Sequence, residues 1–489
     1  MSVDPGSPSL AGCDGELGAD AVAGRVDALA RVLSTHDGEV VALLADNGPD
    51  WLLADRAVRT AGRVLLPLPT FFTDAQCRHA LDASGARLLL TDDAARAAVL
   101  GAGCVASAVS GALALFCRGE APPVTLPPGT AKITFTSGTT GQPKGVCLGA
   151  DQLSSVSRSL AEVARDLGIR RHLCMLPLAV LLENVAGADT ACLAGAQCAV
   201  PPLAQTGLSG SSRFDARVAL TAIDRWRPDS LILLPQMLTA LVAAIDAGLP
   251  APRGLKLVAV GGARVSSDLI ARARVLGLPA CEGYGLSEAG SVVALNLPSD
   301  PPGAAGRVLS HLRVDFSPRG EILIDGPRLP GYLGASPLPD GPLPTGDLGH
   351  FDALGRLHVT GRLKHQIITS FGRNVSPEWP EAELLASSAL AQAVVFGEAR
   401  PTLAAVVVAR GDLPDAALAA AIDAANARLP DYARIGVFLR ADSPFSPANG
   451  LATENGRVRR DAVWARYGER IAARYECGEI RGESRHVLS

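Results

Sequence analysis

One alternation constrains this chain more than any other feature. Val40-Val41-Ala42-Leu43-Leu44, Val64-Leu65-Leu66-Pro67-Leu68, Leu88-Leu89-Leu90, Leu231-Ile232-Leu233-Leu234 and Leu257-Val258-Ala259-Val260 are short apolar runs of the length of a buried strand. Helical patterns stand between them. Asn47-Gly48-Pro49-Asp50 turns into one from Trp51, and Thr73-Asp74-Ala75-Gln76 has the form of a capping box opening another that ends near Gly85. Strands alternating with helices predict layered α/β sheets, largely parallel. After about residue 300 the texture changes. Glu321-Ile322-Leu323-Ile324 and Leu357-His358-Val359-Thr360 stand among Gly and Asp turns, as antiparallel strands do. Beyond residue 361 a smaller α+β unit is expected, with a helix from Pro414 placing Leu418, Ile422, Ala425 and Leu429 on one face.

At 489 residues the chain exceeds one ordinary core, so two or more domains are expected, with a boundary near 361–364. Residues 1–20, rich in Gly, Pro, Ser and Asp, are expected to be disordered. A hydrophobic content of 48% excludes a mostly disordered chain, and a net charge of −4 argues against nucleic acid as the main partner. The ten cysteines are scattered without a CxxC pair and read as small apolar residues in a reducing compartment. There is no basic, apolar leader and no apolar run of membrane-helix length, so a soluble cytoplasmic protein is expected.

Of 45 Lys and Arg residues only four are lysine: Lys132, Lys144, Lys256 and Lys364. Lys is therefore informative where it persists, because it is a flexible point charge and Arg a planar fork. Lys144 closes Thr136-Ser137-Gly138-Thr139-Thr140-Gly141-Gln142-Pro143-Lys144-Gly145. Its glycines free backbone N–H groups to turn inward, its hydroxyls add donors and its Lys adds charge, as a triphosphate requires. It is not a Walker A loop, and a Ser/Thr/Gly surface loop is the alternative reading. Gly283-Tyr284-Gly285-Leu286-Ser287-Glu288 offers a carboxylate beside hydroxyls for Mg²⁺ and a ring face for a base. Pro344-Thr345-Gly346-Asp347-Leu348-Gly349 fixes an Asp that can accept two hydrogen bonds from a ribose diol. Read singly, each of these two is more readily a turn than a site. Gly361-Arg362-Leu363-Lys364 lies at the compositional boundary, before Gly372-Arg373-Asn374-Val375-Ser376-Pro377.

In this order and spacing the four segments resemble the acyl-adenylate-forming superfamily of acyl-CoA synthetases, peptide-synthetase adenylation domains and luciferase, over roughly residues 38–468. The resemblance implies a large ATP- and carboxylate-binding domain over 21–360, with layered α/β sheets and a β-barrel-like part, and a small α+β lid over 361–489 hinged near Lys364. It implies an AMP-forming acid–thiol ligase, with ATP, Mg²⁺ and either CoA or a carrier protein's phosphopantetheine as co-substrates and cofactors. By the same resemblance Thr136, Ser137, Gly138, Thr139, Thr140, Gly141 and Lys144 hold phosphates, and Thr140 and Glu288 place Mg²⁺. Tyr284, with Gly285 and Ser287, lies against adenine near Gly262 and Ala263; Asp347 takes the ribose hydroxyls and Arg362 ribose or phosphate.

Two departures matter. In Leu176-Pro177-Leu178-Ala179-Val180-Leu181-Leu182-Glu183, Val180 stands where the family usually has an aromatic or His; it either opens the acyl gate or merely packs. In Gly456-Arg457-Val458-Arg459-Arg460, Arg457 falls at the position of the family's adenylation Lys. Arg457 then substitutes at a reduced rate, marks a chain that kept only the thioester half-reaction or ligand binding, or is harmless drift; slowed adenylation is expected. With no Asp beside Leu176–Glu183 and small or apolar residues at Val180, Leu181, Gly261 to Ala263 and Val292 to Ala294, a fatty or aryl acid is expected rather than an amino acid.

Overall fold

The computed structural model describes residues 9–119, 121–136, 144–210, 213–336, 338–453 and 456–476. Two large sheets form the body. The eight-stranded sheet centres on the parallel strands Val40–Leu44, Val64–Pro67 and Leu88–Thr91, and the nine-stranded sheet on Arg171–Leu173, Ser230–Leu233, Leu257–Val260 and Ala280–Leu286. Every residue of the first three of these strands is buried, which is why each reads as an unbroken apolar run rather than an alternating one. A four-stranded antiparallel sheet, Arg313–Phe316, Glu321–Asp325, Leu343–Phe351 and Leu357–Arg362, supplies the barrel-like part. The small unit beyond it packs the helices Glu378–Leu385 and Asp415–Asn426 on the sheet Leu390–Phe396, Leu403–Ala409 and Ile435–Arg440. On the second helix Leu418, Ile422 and Ala425 are buried as the periodicity predicts, Ala421 joins them, and Leu429 is buried but lies past the helix end.

The capping box forms as expected. Thr73 accepts from the Gln76 N–H while the Gln76 side chain accepts from the Thr73 N–H, and the helix Asp74–Ser84 ends at Gly85 in the left-handed region. Thr73→Ala is expected to cost about 1 kcal/mol, read as a lower denaturant midpoint at unchanged slope.

The start of the chain corrects an expectation. Leu10–Gly12 and Gly15–Leu17 are strands, and Leu10 and Ala11 pair in parallel with Cys198 and Ala199 at the edge of the nine-stranded sheet. Leu10 is fully buried among Trp51, Leu178 and Cys198. One apolar pair anchored by a distant strand outweighs the Gly- and Ser-rich composition around it, and that partner lies almost two hundred residues on. Among the described residues no helix is long and apolar enough to cross a membrane.

Candidate active site

The site gathers where two parallel strands of the nine-stranded sheet end, the usual place for a ligand in an open α/β sheet. Gly262 and Ala263 follow Leu257–Val260 and are exposed, and Tyr284 to Glu288 follow from Ala280–Leu286. The register slips between Tyr284 and Gly285, and a Cβ on Gly285 would stand 1.8 Å from the Ser291 carbonyl oxygen. Only glycine permits that close approach, which turns the segment toward the barrel.

There it meets Asp347. The Tyr284 hydroxyl donates to Asp347 Oδ2 at 2.8 Å, and Arg362 Nε pairs with Asp347 Oδ1 at 2.8 Å. Asp347 and Arg362 face each other directly across the antiparallel strands Leu343–Phe351 and Leu357–Arg362, so sheet register builds the ion pair. Asp347 is 5% exposed, while the Arg362 side chain keeps 44% of its surface open to the cleft. Burial, then the Asp347 carboxylate, pushes the Tyr284 phenol well above its ordinary range.

Glu288 lies one turn on, in the short helix Ser287–Ala289. Gln152 Nε2 donates to its backbone carbonyl at 2.7 Å, and Tyr332 Oη donates to its Oε1 at 3.3 Å. Lys144 Nζ stands 5.8 Å from the centre of the Tyr332 ring. Tyr332 is a contact that no motif announces. It reaches the site because Gly331–Tyr332 adds to the edge of Lys144–Gly149, and burial, then Glu288, pushes its phenol up to about 12. Gln152 Oε1 is buried without a partner among the described residues.

The small unit brings Arg457 to the same place. The residue as a whole is exposed, yet desolvation of its guanidinium, then the like charge of Arg362, lowers its pKa, while Glu288 and Asp347 pull the other way. Arg460, by contrast, is spent within its own unit on the Val395 carbonyl and on Glu381 Oε1 at 2.6 Å. Lys364 is exposed and makes no ion pair among the described residues. It sits in the turn after Leu357–Arg362, which is tied on both sides. Arg264 of the body donates to the Thr360 carbonyl at 3.1 Å, and a Cβ on Gly361 would stand 1.9 Å from Ser376 Oγ. Nearby, Ser266 donates to both oxygens of Glu383 at 3.2 Å, and Arg428 bridges Glu383 at 2.7 Å and Asp268 at 3.2 Å.

Ser137, Gly138, Thr139, Thr140 and Gly141 lie outside the described residues, and Thr136 is described only as the end of its strand. That segment joins Thr130–Thr136 to the antiparallel Lys144–Gly149. Val180 is 37% exposed, which disfavours the reading that it merely packs. The backbone before it is pinned from below. Glu183 Oε2 accepts from the N–H groups of Met175 and Leu176, Glu183 Oε1 lies 2.8 Å from His172 Nε2, and Asn47 bonds Leu176 O and Leu178 N. His172, Cys174 and Glu183 hold their ligand atoms within 4.8 Å, but the ring and carboxylate atoms are already spent on these bonds and on Ser230.

Carboxylate, phenol, ammonium and guanidinium groups thus line one cleft where both units meet. The AMP-binding enzyme family matches residues 13–333, and the AMP-binding enzyme C-terminal domain matches residues 364–479. The chain belongs to the AMP-binding enzyme family and is an acid–thiol ligase of the AMP-forming kind. It is 30% identical to 3-[(3aS,4S,7aS)-7a-methyl-1,5-dioxo-octahydro-1H-inden-4-yl]propanoyl:CoA ligase of Mycobacterium tuberculosis, over 77% of this chain and 79% of that one. It is 30% identical to feruloyl-CoA synthase of an Amycolatopsis species, over 76% and 78%. In fold it is similar to o-succinylbenzoate coenzyme A synthetase of Bacillus subtilis in complex with ATP and magnesium, with a TM-score of 0.71 at 22% identity, covering 94% and 97%.

Proposed function

We propose that the protein joins a ring-bearing, largely apolar carboxylic acid to the thiol of CoA, by way of an acyl-adenylate. The observation that carries this reading is the convergence of Asp347, Tyr284, Arg362, Glu288, Lys144 and Arg457 on one cleft at the ends of the parallel strands. The feruloyl acid of one relative favours the aryl side of the fatty-or-aryl expectation, and the saturated bicyclic propanoyl acid of another favours a ring-bearing acid over a straight chain. A free-standing carrier protein is the alternative acceptor.

In this reading a carboxylate oxygen of the acid attacks the α-phosphorus of ATP, the bond from that phosphorus to the bridging oxygen breaks, and pyrophosphate leaves. Asp347 receives the ribose hydroxyls, Tyr284 lies against the base with Gly262 and Ala263, and Arg362 faces ribose or phosphate. Lys144 and the segment 136–141 take the outer phosphates. The oxygen donors at Glu288 and a buried amide oxygen without a partner among the described residues suit a hard cation, and Thr140 is the further ligand this reading assigns. Mg²⁺ held there supplies charge neutralisation for the leaving pyrophosphate. Arg457 offers positive charge to the acyl oxygen as charge builds. The thiol sulfur then attacks the acyl carbon, AMP leaves with its bonding electrons, and the thiol proton passes to solvent. Residues 361–489, turning at Lys364, exchange the two steps and keep water from the mixed anhydride.

The test is AMP and pyrophosphate release from ATP–Mg²⁺ with a panel of aryl, fatty and amino acids, each with CoA and with an acyl carrier protein. Turnover is expected with aryl acids and CoA. ATP binding without acid-dependent AMP release would mean a binding protein instead. Release of ADP would exclude acyl-adenylate chemistry altogether.

A further inference from the structure

Lys132 belongs to none of the motifs, and it is one of the largest fully buried side chains in the molecule. It lies in Thr130–Thr136, the strand that runs into the Ser/Thr/Gly segment, and shares a face with Thr134. The opposite face, with Ile133 and Phe135, packs into the apolar core of the eight-stranded sheet. Lys132 therefore points away from that core. Its ammonium pairs with Asp55 Oδ1 at 2.9 Å and donates to Asn184 Oδ1. Asp55 belongs to the helix Pro49–Thr60 and is fully buried; its Oδ2 takes Arg59 at 2.8 Å, and Arg59 reaches Asp189 at 3.2 Å. Asn184 and Asp189 both lie on the π-helix Leu182–Asp189, which follows Val180 directly and carries Glu183, the residue that pins the gate backbone. Burial opposes ionisation of Asp55, but Arg59 and Lys132 outweigh it and hold the carboxyl at about 2, so Asp55 is ionised at neutral pH.

Such a pair is a poor source of stability. Desolvating two charges costs as much as their attraction returns, and apolar replacements of similar volume are often neutral or stabilising. Asn184 even leaves its Nδ2 buried without a partner among the described residues. What the pair does provide is a directional link of fixed length between two elements. One end is the strand that delivers the phosphate segment, four residues before Thr136, or roughly 13 Å along an extended chain. The other is the helix that sets the acyl gate.

We propose that Lys132 is a positioning residue for acyl-adenylate formation: clamped between Asp55 and Asn184, it sets the phosphate-delivering strand against the acyl-gate helix, so that the acid's carboxylate and the α-phosphorus meet. This rests on the ligase reading above. The link acts only where both substrates react together, so adenylation needs it and thioester formation from a finished acyl-adenylate does not.

The experiment compares wild type, Lys132→Met and the apolar pair Lys132→Met/Asp55→Leu, the second variant removing the stranded carboxylate that could unfold the first. Thermal unfolding, acid-dependent pyrophosphate exchange into ATP, and thioester formation from synthetic acyl-AMP and CoA are each measured. The double variant is expected to unfold within a few degrees of wild type. Its exchange kcat is expected to fall about 10- to 100-fold, the scale on which slight misplacement of reactants is felt. Thioester formation should stay within about threefold, the KM for ATP moving less than kcat. Wild-type exchange in the double variant would overturn the proposal. So would an equal fall in both half-reactions, or a loss of folding in both variants, either of which marks a purely structural pair. Absence of exchange in wild type with every acid would instead defeat the ligase reading.

Discussion

Asp347→Ala is expected to lower kcat/KM for ATP in acid-dependent pyrophosphate exchange by about 10³-fold. Among the described residues the carboxylate is the group that holds Tyr284 and Arg362 together, through two contacts of 2.8 Å on its two oxygens. A hydrogen bond to a charged group contributes roughly 1.5–3 kcal/mol. The Tyr284 contact belongs at the upper end, because both partners are largely buried; the Arg362 contact belongs at the lower end, because solvent screens a half-exposed guanidinium. Together they give about 4 kcal/mol, or about a thousandfold in rate. The loss has a second source. Without Asp347, Arg362 and Arg457 share the cleft with one compensating carboxylate fewer, and their repulsion disfavours the placement of both. Asp347→Asn keeps an acceptor for Tyr284 but not the charge, so it should fall between wild type and Asp347→Ala. The unfolding temperature should fall as well, since Asp347 is buried and Tyr284 packs against a core cluster, so exchange is compared at a temperature where both proteins stay folded. Exchange by Asp347→Ala within about fivefold of wild type would remove Asp347 from the nucleotide site.

This prediction also marks where the sequence was legible. That Tyr284, Asp347 and Arg362 are candidates for the chemistry follows from their order along the chain. That they touch does not, because the contact depends on a bulge at Gly285 and on the register of two strands, neither of which leaves a periodic trace. The α/β layers were legible because parallel strands buried on both faces must be continuously apolar. The N-terminal strands were not, because three residues have no period and their partner is remote. Lys132 shows a different limit. In a chain that elsewhere uses Arg, a Lys between Ala131 and Ile133 was a signal, but nothing local says that Asp55 and Asn184 lie across from it. Tyr332 was hidden for the same reason, as edge pairing with Lys144–Gly149 alone brings it to Glu288.

Arg457→Ala is expected to reduce adenylation by about 100-fold while leaving thioester formation from synthetic acyl-AMP within about threefold of wild type. The asymmetry follows from geometry. Arg457 reaches the cleft from the small unit, near enough to Arg362, Glu288 and Asp347 to feel each of their charges, so this arrangement of the two units is the one that offers a cation to the reacting carboxylate. A preorganised donor at a site of developing charge is worth about 3 kcal/mol, or roughly 100-fold. In the proposed reading the unit turns about Lys364 for the second step, and Arg457 then leaves with it. Arg457→Lys separates charge from shape. The fork spreads its charge over a plane and must fit beside Arg362, whereas an ammonium on a flexible stem can concentrate three donors on one oxygen. Faster exchange by Arg457→Lys than by wild type, by about two- to tenfold, is therefore expected, with unchanged thioester formation. Slower exchange by Arg457→Lys would show that the cleft is built around the guanidinium. Equal activity of Arg457→Ala and wild type in both half-reactions would take Arg457 out of the chemistry.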